Sequence, residues 1–374
     1  MTWRRGGIPR RGLSILCQSS ERRTVSNQPP HVDERIALCV MDRAGTSALA
    51  SSILPKIRLV TFRRLVRDNA CFDRTLSEIP MIGILGGYGY VGSRISAALS
   101  RDQIAFAILR RRDRDYYRSD ELAAWLRAND IEFLINAAGF TGKPNVDACE
   151  TQKTQCTLGN AVLPGIVREA CESVSIPFGH ISSGCIYTGS KAGGEGFTES
   201  DKPNFSFRTD NCSFYSGCKA LGEEILADCD SCYIWRLRIP FNEQDGKRNY
   251  LSKLLRYDTL LDATNSLSHL DDFSSSVVAC IKNQLPKGIY NLTNPGSVTT
   301  REVTELIRRT LAPDREFKFF RDEAEFMEKA AVAPRSNCVL DASKALSVGL
   351  PMRPIHEALN DALSNWRSET APAQ

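Results

Sequence analysis

A chain of 374 residues is long for one domain and comfortable for two. Hydrophobic residues make up 42% and charged residues 25%, an ordinary mix for a globular enzyme, and no run approaches the roughly 18–20 apolar residues that span a bilayer, so no membrane partner is expected. The formal net charge of +4 is uneven: residues 1–80 hold 14 Lys+Arg against 7 Asp+Glu, whereas the other 294 hold 34 against 37, and a slightly acidic body argues against nucleic acid as a partner.

Residues 1–80 sustain neither a helical nor a strand period. Arg4, Arg5, Arg10, Arg11, Arg22 and Arg23 share the stretch before Pro30 with one acid, Glu21. The pattern fits a basic targeting peptide, a disordered arm drawn to polyanions, or a start codon placed too far upstream. The last is preferred, because Met81 opens a strand at once. Met81 to Leu85 is a short apolar run, as a buried parallel strand requires. A glycine-rich turn and a helix from Ser93 to Leu99 follow. Ala105–Leu109 predicts a strand, Glu121–Arg127 a helix and Phe133–Ala137 a strand. Cys149–Cys171 reads as mostly helical, Phe178–Ser182 as strand, Tyr215–Leu226 as helix and Tyr233–Leu237 as strand. This alternation predicts an α/β fold with a doubly wound parallel (Rossmann) sheet over 81–240. Beyond Pro240 the pattern loosens into a smaller C-terminal substrate lobe, 241–374, to which 188–212 contribute.

The thirteen cysteines are odd in number and lack framework spacing, and no signal peptide is evident. Reduced thiols in the cytoplasm fit best. The single CxxC, Cys229 to Cys232, has no second pair within reach, so no metal is expected.

Gly86, Gly89 and Gly92 form G-x-x-G-x-x-G between the first strand and the first helix. The first allows a tight turn, the second a close approach to a pyrophosphate, the third close helix–strand packing. A glycine loop by itself is a common turn. Its place before a helix N-terminus, which offers unpaired N–H groups, makes Gly86, Tyr88, Gly89, Tyr90, Val91 and Gly92 candidate dinucleotide contacts. An acid ending the second strand would select NAD. Here Arg110-Arg111-Arg112 stand instead, suiting a 2′-phosphate, so NADPH is the expected cofactor and NADH the alternative.

Tyr215 and Lys219 lie four residues apart, on one helix face. A phenol has a pKa near 10, and a neighbouring ammonium that favours the phenolate would help it donate a proton to a carbonyl. A hydroxyl from Ser182 or Ser183 would polarise the same oxygen.

These residues resemble the extended short-chain dehydrogenase/reductase family, and more closely its dTDP-4-dehydrorhamnose reductase branch of the bifunctional 3,5-epimerase/4-keto-reductase type. The resemblance covers about residues 81–367. It is carried by Asn136-Ala-Ala-Gly-Phe-Thr-Gly-Lys-Pro-Asn-Val-Asp147, Ser183-Gly-Cys-Ile-Tyr187, Tyr215 with Lys219, Arg236-Leu-Arg238, Arg248-Asn249, Asn291-Leu-Thr-Asn-Pro-Gly296 and Ala333-Pro-Arg-Ser-Asn337. It implies NADPH-dependent reduction of a nucleotide-linked 4-keto-6-deoxyhexose, with Ser183, Tyr215 and Lys219 catalytic. Asn136, Ala137, Ala138, Thr141 and Asn160 would line the cofactor. Asn145, Tyr187, Arg248, Asn249, Arg335 and Asn337 would meet the sugar nucleotide. Cys185 and Lys253 stand where related 3,5-epimerases keep an acid–base pair, a thiolate removing the proton α to the ketone and an ammonium returning one. Dimers are common in the family, which leaves a homodimer open. The sequence departs from dedicated reductases at Ser182-Ser-Gly-Cys-Ile-Tyr187, toward the bifunctional type. The rivals are a sibling sugar-nucleotide epimerase or dehydratase and a non-catalytic NADP-binding subunit.

Overall fold

The computed structural model describes residues 80–143 and 145–368; the readings made for the basic N-terminal stretch fall on residues outside that range. Six strands form one sheet: β1 (Ile82–Leu85), β2 (Phe106–Leu109), β3 (Phe133–Asn136), β4 (Phe178–Ser183), β5 (Cys232–Leu237) and β6 (Gly288–Asn291). All neighbours are parallel, in the order β6-β5-β4-β3-β1-β2. β1, β3 and β5 are wholly buried, as strands covered on both faces must be. Strand order reverses beside β1. A crevice therefore opens beyond the carboxyl ends of β1 and β3, where doubly wound sheets bind ligands.

One face of the sheet is covered by α1 (Tyr90–Arg101), the other by α2 (Ser119–Ala128). The predicted helix over 149–171 is broken. A 3₁₀ turn (Val146–Glu150) leads to α3 (Lys153–Thr157), a π-turn (Leu158–Val162) and α4 (Leu163–Ser173). α5 (Phe214–Ile225) begins at Ser213, whose hydroxyl accepts from the Ser216 N–H, a cap worth about 1 kcal/mol. α6 (Tyr250–Arg256) starts the smaller lobe.

The boundary at 241 is corrected by the sheet itself. α7 (Leu270–Lys282) returns to the first face, where Phe273, Val277 and Ile281 pack in one core with Ile95 and Leu99 of α1. β6 then adds to β5, with Ile289 opposite Ile234. The stretch from 270 to 291 therefore belongs to the nucleotide-binding layers. The lobe keeps its own core, in which Leu251 and Leu254 meet Val303, Ile307, Ile355 and Leu359. No helix among the described residues is long and apolar enough to cross a membrane.

Candidate active site

The loop between β1 and α1 is shaped by two glycines. Gly86 has φ +73°, and a Cβ there would lie 2.6 Å from the Ala137 carbonyl oxygen. A Cβ at Gly92 would run into the carbonyl oxygen of Gly86. Only glycine lets the turn lie flat against the end of β3. Gly89 caps α1 without a side chain, and the first turn contains no acid, so its N–H groups and partial positive charge face the crevice. A pyrophosphate fits this cradle. Gly86→Ala is expected to cost about 1–3 kcal/mol of stability and to remove cofactor binding, read as a lower melting temperature and loss of its upward shift with added NADPH.

At the end of β2 no carboxylate replaces the arginines. The Arg110 guanidinium lies 4.6 Å from the centre of the Tyr88 ring and donates to the Tyr88 hydroxyl at 2.7 Å. Arg111 lies over Tyr117 at 4.6 Å. Arg112 stands 3.7 Å from Asp113. Tyr90 and Val91 are half-buried, and the Tyr90 hydroxyl lies 3.3 Å from the Asn242 side chain, away from the loop mouth.

Two residues expected to line the cofactor are buried supports instead. Asn136 accepts from the Ala138 N–H at 3.1 Å, and its Nδ2 lies 3.1 Å from His180 Nδ1. Asn160, in the π-turn, accepts from the Phe140 N–H and donates to the Phe140 carbonyl at 2.7 Å. Both side chains are buried and their amides are spent on protein partners. They hold the loop that presents half-buried Ala137, Ala138 and Thr141. π-turns concentrate at such sites. Sequence reasoning missed His180, a lone histidine inside an apolar strand.

The two serines ending β4 point to opposite faces of the sheet. Ser182 is buried and donates to Glu223 at 2.5 Å. Glu223 in turn accepts from Arg236 at 2.7–3.1 Å, a buried pair. Ser183 is half-exposed, its oxygen accepting from the Cys185 N–H at 3.2 Å. Tyr215 borders the same space. Burial pushes its phenol well above 10 and the neighbouring Cys185 adds to this, while Arg248 acts against it. The expected lowering by Lys219 is corrected: the Lys219 ammonium is buried and donates to the Ile181 carbonyl at 3.2 Å. Desolvation outweighs attraction here, and the phenol stays protonated.

Burial also raises the Cys185 thiol and lowers the Lys253 ammonium, with the charges of Arg248 and Arg335 lowering the latter further. Lys253 makes no side-chain hydrogen bond or ion pair among the described residues. Arg248 donates to the Thr141 hydroxyl at 2.5 Å, linking the lobe to the loop after β3. Arg335 closes a two-pronged pair on Asp147 at 2.5 and 2.6 Å. Asn145 caps the 3₁₀ turn carrying Asp147, and Asn337 accepts from the Asn265 side chain at 3.2 Å.

Two expected substrate contacts are corrected. Asn249 is wholly buried: it caps α6 and donates to the carbonyls of Asn242 and Gln244, both at 2.7 Å. Tyr187 is wholly buried, stacked on Phe197 with ring centres 4.7 Å apart, and donates to the Asp201 carbonyl. Both belong to the scaffold.

A doubly wound sheet with a glycine loop at its switch point and a serine, tyrosine and lysine beside it defines a short-chain dehydrogenase/reductase-type fold. Residues 81–368 match the RmlD substrate binding domain, and the chain belongs to that family. It is similar to the bifunctional dTDP-4-dehydrorhamnose 3,5-epimerase/dTDP-4-dehydrorhamnose reductase of Arabidopsis thaliana, with 32% identity over 281 residues, 74% of this chain and 90% of that one. A trifunctional UDP-glucose 4,6-dehydratase/UDP-4-keto-6-deoxy-D-glucose 3,5-epimerase/UDP-4-keto-L-rhamnose-reductase of the same plant is 33% identical over 266 residues, 70% of this chain. The chain spans only 38% of that protein's length. Among solved structures, the UDP-rhamnose synthase of Acanthamoeba polyphaga mimivirus has the same fold, with TM-score 0.69 and 23% identity over 76% of this chain and 99% of that one. A dTDP-4-dehydrorhamnose reductase of Bacillus anthracis, solved with NADP, has TM-score 0.64 and 16% identity over 78% and 99%. The glycine cradle at the head of α1 has the form of a dinucleotide site.

Proposed function

We propose that the chain is an NADPH-dependent reductase of a nucleotide-linked 4-keto-6-deoxyhexose that also epimerises C3 and C5. The observation that carries this reading is the grouping of Ser183, Tyr215 and Cys185 on one wall with Arg248, Lys253 and Arg335 nearby. A ketone reductase needs the first two; an epimerase needs the thiol and the amine; a nucleotide diphosphate needs the cations. The relatives at 32% and 33% identity carry both activities in their names.

When bound, NADPH supplies the hydride for C4. Tyr215 gives its phenolic proton to the C4 oxygen, and the Ser183 hydroxyl hydrogen-bonds the same oxygen. Lys219 would hold the nicotinamide ribose once its ammonium turns from the Ile181 carbonyl. Epimerisation comes first. Burial and the charges of Arg248 and Arg335 shift Lys253 toward the neutral amine, and burial holds the Cys185 thiol protonated, which favours the reverse of the roles expected from sequence: Lys253 as the base for the proton α to the ketone and Cys185 as the acid on the other face. The odd number and unframed spacing of the thirteen cysteines support a reducing compartment such as the cytoplasm.

This assignment has a pH signature. A lowered ammonium pKa makes the free amine available earlier as pH rises. Solvent deuterium entry at C3 and C5 is expected to increase with pH, with a midpoint below the ~10.4 of an ordinary lysine. Lys253→Met and Cys185→Ala should each abolish it, as NMR of the recovered ketone would show. The overall reading is tested by NADPH consumption with dTDP- and UDP-4-keto-6-deoxyglucose, with no separate epimerase added. A rhamnosyl product supports both half-reactions. Turnover only after an epimerase is supplied leaves the reductase alone, and no turnover with either ketone sinks the reading.

A further inference from the structure

We infer that Tyr88 is a positioning residue for the cofactor's 2′-phosphate, holding Arg110 ready to bind it. The inference rests on the NADPH reading above and deepens it. Tyr88 is the third residue of the glycine loop, and it is 64% exposed. A large apolar ring in water at a loop tip has no packing role to explain it. Among the described residues its partner is Arg110, from the end of β2. The two meet twice: the guanidinium lies over the ring, 4.6 Å from its centre, and its Nη2 donates to the hydroxyl at 2.7 Å.

Three observations turn this contact into a binding device. First, the pair straddles the carboxyl ends of β1 and β2, where a dinucleotide's adenosine ribose lies in doubly wound folds. Second, Arg110 has no ion pair among the described residues, although Arg112 beside it faces Asp113. Its charge is oriented without being neutralised, and the guanidinium keeps further donors for a phosphate. Third, a free arginine loses much rotamer freedom on binding, and a side chain already held in place loses less. Arg111, similarly laid over Tyr117 at 4.6 Å, continues the same cationic surface. Tyr88 therefore acts through Arg110, favouring the 2′-phosphate over the 2′-hydroxyl.

The test is titration of the full-length protein and its Tyr88→Phe, Tyr88→Ala and Arg110→Ala variants with NADPH and NADH, followed by fluorescence, and with 2′,5′-ADP as competitor. Tyr88→Phe keeps the ring and removes the hydroxyl. It should lower the NADPH-to-NADH affinity ratio about 2- to 10-fold, the range expected when one rotamer-rich side chain must be immobilised on binding. Tyr88→Ala should lower the ratio further, and Arg110→Ala should remove most of it. A general loosening of the loop would weaken both cofactors alike and leave the ratio in place, which would overturn the inference. So would a 2′,5′-ADP affinity untouched by either Tyr88 variant while Arg110→Ala loses it, with the NADPH reading intact. A wild-type protein that does not distinguish NADPH from NADH would overturn the NADPH reading and this inference together.

Discussion

Tyr215→Phe is expected to lower kcat for ketone reduction by about 10²- to 10⁴-fold, the usual contribution of a positioned proton donor. Among the described residues the phenol is the proton source the arrangement supplies at that oxygen, because Ser183 carries an alcohol of far higher pKa and the Lys219 ammonium is turned to the Ile181 carbonyl. The environment also dictates the pH profile. Burial raises the Tyr215 pKa well above 10, so the donor form persists upward in pH. The reduction step should show no loss from phenol ionisation below about 10, the pKa of an unperturbed tyrosine. Stopped-flow measurement of NADPH oxidation on an already epimerised ketone checks both statements. A decline centred near neutral pH would show that another group carries the proton.

Arg236→Met is expected to cost about 3–5 kcal/mol of folding stability, the usual penalty for stranding one half of a buried ion pair. Arg236 and Glu223 are exposed by only 2% and 7% on their side chains, and the guanidinium also meets the Asn291 side chain on β6. Removing the arginine leaves the Glu223 carboxylate, among the described residues, with the Ser182 hydroxyl as its side-chain hydrogen-bond donor. Urea unfolding with Glu223→Gln/Arg236→Met in parallel separates the stranded charge from lost packing. The double variant should recover part of the loss, and equal destabilisation in both would assign the cost to packing.

The strands and helices up to Leu237 were legible because buried parallel strands are runs such as Ile82–Leu85, and because a glycine loop has its meaning between a strand and a helix. β6 was not. Gly288-Ile-Tyr-Asn291 holds two apolar residues after a proline and a lysine, too little for a strand until β5 offers its edge. In the site, Tyr215, Lys219, Ser183 and Cys185 came from spacing and resemblance, and the structure brings them together. The choice between Ser182 and Ser183 needed the opposite faces of β4, because the Glu223 that occupies Ser182 lies 41 residues away. Asn249 and Tyr187 show the limit of resemblance: a motif carries residue types, but not whether an amide is spent on a helix cap or a ring on a stack. The Arg335–Asp147 pair joins residues 188 apart, beyond any local pattern.

The return of the chain to the sheet at β6 has a consequence for manufacture and dissection. The nucleotide-binding half is not a contiguous stretch of polypeptide. A ribosome that has released residues up to 240 has made five of the six strands, with β5 still an open edge and α1 still lacking the cover of α7. An unpaired edge of this kind invites pairing with other chains. The lobe core is built from a stretch between two pieces of the sheet and a stretch after the last strand, so neither half can be excised by a single cut. Expression of 81–240 alone should yield aggregate, whereas a fusion that joins the segment 270–291 to it through a short linker should remain in solution.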